Sequence, residues 1–257
     1  MRPRPGDQPE AAPQGERPVR PVAGAGVRPM RWGLAYSGAG LVVAILLSSL
    51  AAGAWLAATG ETTLSLGGLA VSQVGLWVGL AGVAVLASRV QGTGRLAADF
   101  GFFMRPLDTV VGLAVGVVAQ LGLVNLIALL LSPLVGHPDV SQEATDLVRK
   151  AHGTGLVGLT VFVIVGAPIV EELFFRGLLL GSLRRRVPDA VAITLSALLF
   201  GLAHFQDATA GGLLLVVSLF AFGVVLALMA VRSGRLGPAM WAHATFNAFT
   251  VIVLLVT

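Results

Sequence analysis

At 257 residues, with 56% hydrophobic and only 12% charged side chains, the chain lies outside the composition of soluble domains. Its mean hydropathy of +0.87 indicates an all-α, polytopic membrane bundle. A formal net charge of +4 does not signal nucleic-acid binding, because the cations sit at the ends of apolar segments, and the absence of cysteine excludes disulfides and thiolate chemistry.

Residues 1–31 hold seven of the 13 prolines and six arginines, with few large apolar groups. Such a segment cannot bury enough surface to fold, so it reads as a disordered cytoplasmic tail ahead of a helical membrane domain, residues 32–257. From Gly33 to Gly60 there is no charge, and about 20 apolar residues suffice to cross a ~30 Å hydrocarbon core. Further apolar runs follow near 67–88, 109–132, 154–180, 190–206, 211–231 and 237–256. Seven spans are expected, the fifth of them short. Between the second and third, GRLAADFGFFMRP is amphipathic enough to form a short interfacial helix. Gly75 with Gly79 and Gly112 with Gly116 are small-xxx-small pairs that let helices approach closely.

Arginine placement orients the chain. The tail, residues 89–107, Arg184 to Arg186, and Arg232 with Arg235 carry 14 of the 17 cations, all on one side of the expected spans. The excess of positive charge on cytoplasmic loops puts that side, and the N-terminus, in the cytoplasm. An Arg-rich, lysine-poor composition suits a bacterial cytoplasmic membrane protein.

Strongly polar groups within the apolar runs are confined to the C-terminal half, 154–257. PIVEELFFRG, Pro168 to Gly177, contains two glutamates and an arginine where an ionisable group costs roughly 2.5–3.5 kcal/mol to insert. Glu172 and Arg176 are four apart on one helix face and can pair; the plain reading is an ion pair that fixes packing. Glu171 is rotated by about 100° and has no cation near it in sequence. Phe200 and His204 in FGLAHF, and His243 and Asn247 in WAHATFN, repeat an i, i+4 spacing. A lone histidine on an apolar face is usually a packed, hydrogen-bonded group, but two with a glutamate on three segments favour a site.

Hairpin register brings two of these together. The turn near Val187 is 16 residues from Glu171 and 17 from His204, so antiparallel helices place both at one level. His243 lies only ~12 Å beyond Arg235 while Glu171 lies ~24 Å from the turn; one resolution of this difference in depth is that the glutamate-bearing helix extends past the membrane into the cytoplasm.

EELFFRG, FxxxH and HxxxN, in that order on three helices, resemble the CPBP family of intramembrane proteases, which includes Rce1-type CAAX prenyl endopeptidases and bacteriocin-processing relatives. The resemblance implies that Glu171 and His204 activate a water, that His243 and Asn247 stabilise the oxyanion, and that Glu172 and Arg176 support the site; Phe200, on the helix face of His204, is grouped with the supporting residues. These residue types also suit peptide hydrolysis in their own right, which needs a base, a proton donor and oxyanion donors. The sequence has no HExxH, GxSG or GxGD motif, and its one lysine, Lys150, falls in a loop. No cofactor is required as first choice; if Zn2+ is bound, its ligands are Glu171, His204 and His243. The expected partners are a peptide or membrane-protein substrate and the lipid bilayer. Two other readings stay open: a proton-coupled transporter, and a non-catalytic scaffold or immunity protein of the same fold.

Overall fold

The computed structural model describes residues 33–135, 145, 147–149, 151–205 and 207–256; the tail expected over 1–31 lies outside them. Among the described residues every regular element is a helix. In order these are α1 (Leu34–Thr59), α2 (Leu66–Gln91), α3 (Leu96–Phe100), α4 (Pro106–Val118), α5 (Val124–Val135), α6 (Thr154–Val161), α7 (Ala167–Glu171), α8 (Leu180–Arg184), α9 (Asp189–Leu202), α10 (Ala210–Ser233) and α11 (Gly237–Val256). Six stretches of the described residues are long and apolar enough to cross a membrane, one fewer than the seven expected: α1, α2, the α4–α5 rod, the rod from Thr154 to Arg184, α10 and α11. The protein is an integral multi-pass membrane protein. The run expected to be a short fifth span is α9, an apolar helix of 14 residues that rises only ~21 Å.

Local chemistry explains where the helices begin and stop. Ser65 and Thr209 accept hydrogen bonds from the backbone N–H of Gly68 and Gly212, capping α2 and α10. Gly60 and Gly234 end α1 and α10 at φ of 71° and 66°, left-handed conformations that glycine adopts without penalty.

Two of the helical rods contain π-helical turns. One, Ala119–Leu123, joins α4 to α5; in the other rod Phe162–Gly166 separates α6 from α7, and Glu172–Leu179 separates α7 from α8. The second rod is therefore one continuous helix of 31 residues, ~46 Å at helical rise and longer than a ~30 Å hydrocarbon core, which agrees with the extension offered as one resolution of the depth difference. All eight residues of Glu172–Leu179 are buried, so this segment is the centre around which the others pack. Phe174, Leu178, Phe200, Phe222 and Leu226 are fully inaccessible there.

Both small-residue pairs lie at close helix crossings. A Cβ on Gly75 would come within 2.6 Å of the Leu47 carbonyl oxygen on α1, and one on Gly116 within 2.6 Å of Ala242 O on α11. These approaches bring α1 against α2 and α4 against α11.

The arginine-bearing turns gather at one end of the bundle. Leu236 N–H donates to Gly101 O at 2.8 Å, and Arg186 lies beside Gly33 at the start of α1. Arg235, which in sequence counts only as a topological charge, makes a two-pronged ion pair with the buried Asp108 at 2.6–3.0 Å. The segment expected to lie at the interface is tied into the same end. Asp99 on α3 is buried and accepts hydrogen bonds from Ser88 and Thr93 on the α2 side, so α3 is held by a polar anchor as well as by its apolar face.

Candidate active site

The i, i+4 spacing of Glu172 and Arg176 survives the π-helical turn: Arg176 Nη1 donates to Glu172 Oε1 at 2.8 Å, with both side chains inaccessible to solvent. The same Glu172 Oε1 also receives His243 Nδ1 at 2.9 Å from α11. Sequence spacing exposes only the first of these bonds, because His243 lies 71 residues away. Arg176 makes a second, longer bond to Gly223 O on α10 and stacks over the face of Phe200, its guanidinium carbon 4.2 Å from the ring centroid.

Phe200 is fully buried at the centre of the cluster. Its ring lies 4.8 Å from His204 and 5.6 Å from His243, edge-on to the latter, and its carbonyl oxygen takes the His204 Nδ1 at 2.8 Å. One residue thus contacts the arginine and both histidines. Since a carbonyl can only accept, His204 Nδ1 carries the proton, and Nε2 is the free position of the neutral ring. His243 Nδ1 likewise faces a carboxylate that accepts from Arg176, so its proton is on Nδ1 as well.

Both free Nε2 atoms point at Glu171. Glu171 Oε2 is 3.9 Å from His204 Nε2 and 3.9 Å from His243 Nε2, is buried, and has no hydrogen-bond partner. Such an orphaned carboxylate oxygen between two imidazoles is costly unless something sits between them. A water placed about 2.8 Å from the carboxylate and from one imidazole fits a 3.9 Å gap. The hairpin register holds: Glu171 on α7 and His204 just past α9 meet across it.

The donor types of Glu171, His204 and His243 are those of a catalytic zinc centre. Tetrahedral ligands at ~2.0–2.1 Å from zinc stand about 3.3 Å apart. Both separations from Glu171 are 3.9 Å.

Asn247 joins the cluster from the next turn of α11, and its Nδ2 donates to Val163 O at 2.8 Å. One N–H of the amide is thereby used and the other is left. Glu171, Phe200, His204, His243 and Asn247 all line one cavity of about 790 Å³. Its opposite walls come from the part of the chain where the sequence showed no chemistry: Leu66, Gln73 and Trp77 of α2, and Gln120 and Val124 of the α4–α5 rod. The signal there was slight, two glutamines and a tryptophan in apolar runs. Trp77 packs on Phe162 at a centroid distance of 4.9 Å, which places it beside the π-helical turn that holds Asn247.

Residues 153–249 match the family model described as type II CAAX prenyl endopeptidase Rce1-like. The membrane-embedded CAAX protease MroQ of Staphylococcus aureus (strain USA300) is 28% identical over 132 residues, 49% of this chain and 50% of that protein. The uncharacterized protein YyaK of Bacillus subtilis (strain 168) is 28% identical over 130 residues, 48% of this chain and 42% of its own length. YdiL of the same organism is 34% identical over 97 residues, 38% of this chain and 37% of that protein. The chain therefore spans half or less of the length of these relatives, and no solved structure matches it. The resemblance carried by EELFFRG, FxxxH and HxxxN holds: over residues 153–249 this chain is similar to the Rce1-like CAAX prenyl endopeptidases.

Proposed function

We propose that the chain is an intramembrane endopeptidase that hydrolyses a peptide bond in a membrane-associated peptide or protein, using a water activated by Glu171 and His204. The observation that carries this reading is the buried, unpartnered Glu171 Oε2 at 3.9 Å from two imidazole Nε2 atoms on the wall of a 790 Å³ cavity. Similarity to the CAAX proteases supports it.

In this reading the water donates a proton to Glu171 as its oxygen attacks the scissile carbonyl, and His204 Nε2 shares the role of acceptor. The proton is then delivered to the leaving amine, so that the carbon–nitrogen bond breaks to an amine and a carboxylate. The oxyanion formed in between needs N–H donors. Asn247 offers its second amide N–H. His243, its Nδ1–H held by Glu172 Oε1, offers Nε2–H when the ring carries both protons.

The reading needs no metal. Cleavage by the purified protein is expected to persist after chelation, with zinc well below one equivalent by elemental analysis. One equivalent of zinc, with activity lost to a chelator and restored by the metal, overturns the metal-free mechanism.

The substrate test is proteomic. Membranes from cells with the wild-type protein should contain new terminal peptides that are missing when Glu171→Gln replaces it; identical sets of termini overturn the protease assignment. We further propose that the arginine-bearing end of the bundle faces the cytoplasm. A reporter fused at Gly94 should then read cytoplasmic and one at Gly60 external, and the reverse pattern inverts the topology.

A further inference from the structure

We infer that Pro168, the first residue of PIVEELFFRG, is a positioning residue for Asn247: by lacking a backbone N–H it leaves the Val163 carbonyl open, and that carbonyl holds the Asn247 amide at the site. The inference rests on the proposed function only in reading Asn247 as an oxyanion donor.

The argument follows the backbone bonds of the π-helical turn Phe162–Gly166. In an α-helix Val163 O would accept from the amide of Ala167, four residues on. Here the helix has slipped by one residue, and Ala167 N–H bonds to Phe162 O, five residues back. In that slipped register the next amide, at position 168, would serve Val163 O. Position 168 is proline and has no hydrogen to give. A carbonyl within an apolar span cannot remain without a partner cheaply, because each unsatisfied group costs free energy. Asn247 Nδ2 supplies the missing bond at 2.8 Å.

This bond reaches across 84 residues of sequence, from the last helix to the glutamate-bearing rod. It fixes an amide that would otherwise rotate on its side chain, and so fixes where its second N–H points. Pro168 itself is fully buried and only three residues from Glu171. The base and the amide are therefore held by one short stretch of backbone. Helices usually break or kink at proline, and the π-helical slip is how this one continues through it.

The test separates the missing N–H from the proline ring. Three chains are compared: wild type, Pro168→Ala, and Pro168→lactic acid, in which an ester replaces the amide so that position 168 again has no N–H. The sequence has two asparagines, Asn125 and Asn247, so selective 15N labelling of the asparagine side chains gives two amide signals to follow in detergent.

With Pro168→Ala, the Asn247 amide proton is expected to leave its hydrogen-bonded position. kcat for a cleaved peptide should fall roughly 10- to 100-fold with KM little changed. The ester chain should restore both readouts. An unmoved Asn247 signal in Pro168→Ala, or a folded ester chain whose Asn247 signal stays displaced, overturns the inference. If Pro168→Ala does not fold, the ester chain decides alone: a wild-type Asn247 signal supports the inference and a displaced one overturns it. If the wild-type protein cleaves nothing, the protease reading fails, while the amide signals still decide the role of Pro168.

Discussion

Replacing Glu171 by glutamine is expected to lower cleavage by about 10²–10⁴-fold, the usual contribution of a positioned general base, while leaving the fold intact. Glutamine keeps the shape of the side chain. Glu171 Oε2 has no hydrogen-bond partner to lose, and among the described residues no arginine or lysine forms an ion pair with this carboxylate, so the substitution removes charge without breaking such a pair. The measurement is kcat on a cleaved peptide together with Tm in detergent. A Glu171→Gln chain that retains near wild-type kcat removes Glu171 from the chemistry, and one that unfolds assigns it a structural role.

The opposite pattern is expected at Arg176. Its side chain is inaccessible, bonded to Glu172 at 2.8 Å and stacked on Phe200, so Arg176→Ala leaves Glu172 as a buried carboxylate with only His243 against it. Removing one partner of a buried pair typically costs about 3–5 kcal/mol, which for a chain of this size is a fall in Tm of roughly 10 °C. Replacing both charges, Glu172→Gln with Arg176→Met, should recover part of that loss. The glutamine carbonyl oxygen still accepts His243 Nδ1–H, and the methionine refills the space over Phe200. If Arg176→Ala melts like wild type but is inactive, and Glu171→Gln unfolds, the roles of the two glutamates are reversed.

These two expectations differ because of geometry that helix spacing only half describes. From sequence, Glu172 and Arg176 share a face and Glu171 does not, and this survives in the structure. Spacing says nothing, however, of what occupies the space around Glu171. There the fold supplies two imidazoles whose other nitrogens are already bound, one by the Phe200 carbonyl and one by Glu172. The pair Glu172–Arg176 is therefore more than packing: it holds the His243 ring so that Nε2 faces Glu171.

The sequence by itself determined the membrane class, the helical class, six of the seven expected spans and the grouping of arginines at one end. Each follows from composition and local periodicity, which no distant contact can override in a chain this apolar. It also singled out the four polar residues that line the candidate site, because ionisable and amide groups in apolar runs are few and costly, and it anticipated the Glu171–His204 approach, because a hairpin fixes register by counting residues from its turn. Only the tertiary structure decided the rest. The second bond of Glu172, the Asp108–Arg235 pair and the Asn247–Val163 bond join residues 71, 127 and 84 positions apart, and no periodicity relates such positions. The far wall of the cavity, from Leu66 to Val124, is made of ordinary apolar residues whose role comes from where α2 and the α4–α5 rod pack. The π-helical slip at Phe162–Gly166 is a matter of backbone hydrogen-bond register, which side-chain pattern leaves undetermined until the partner for each carbonyl is known.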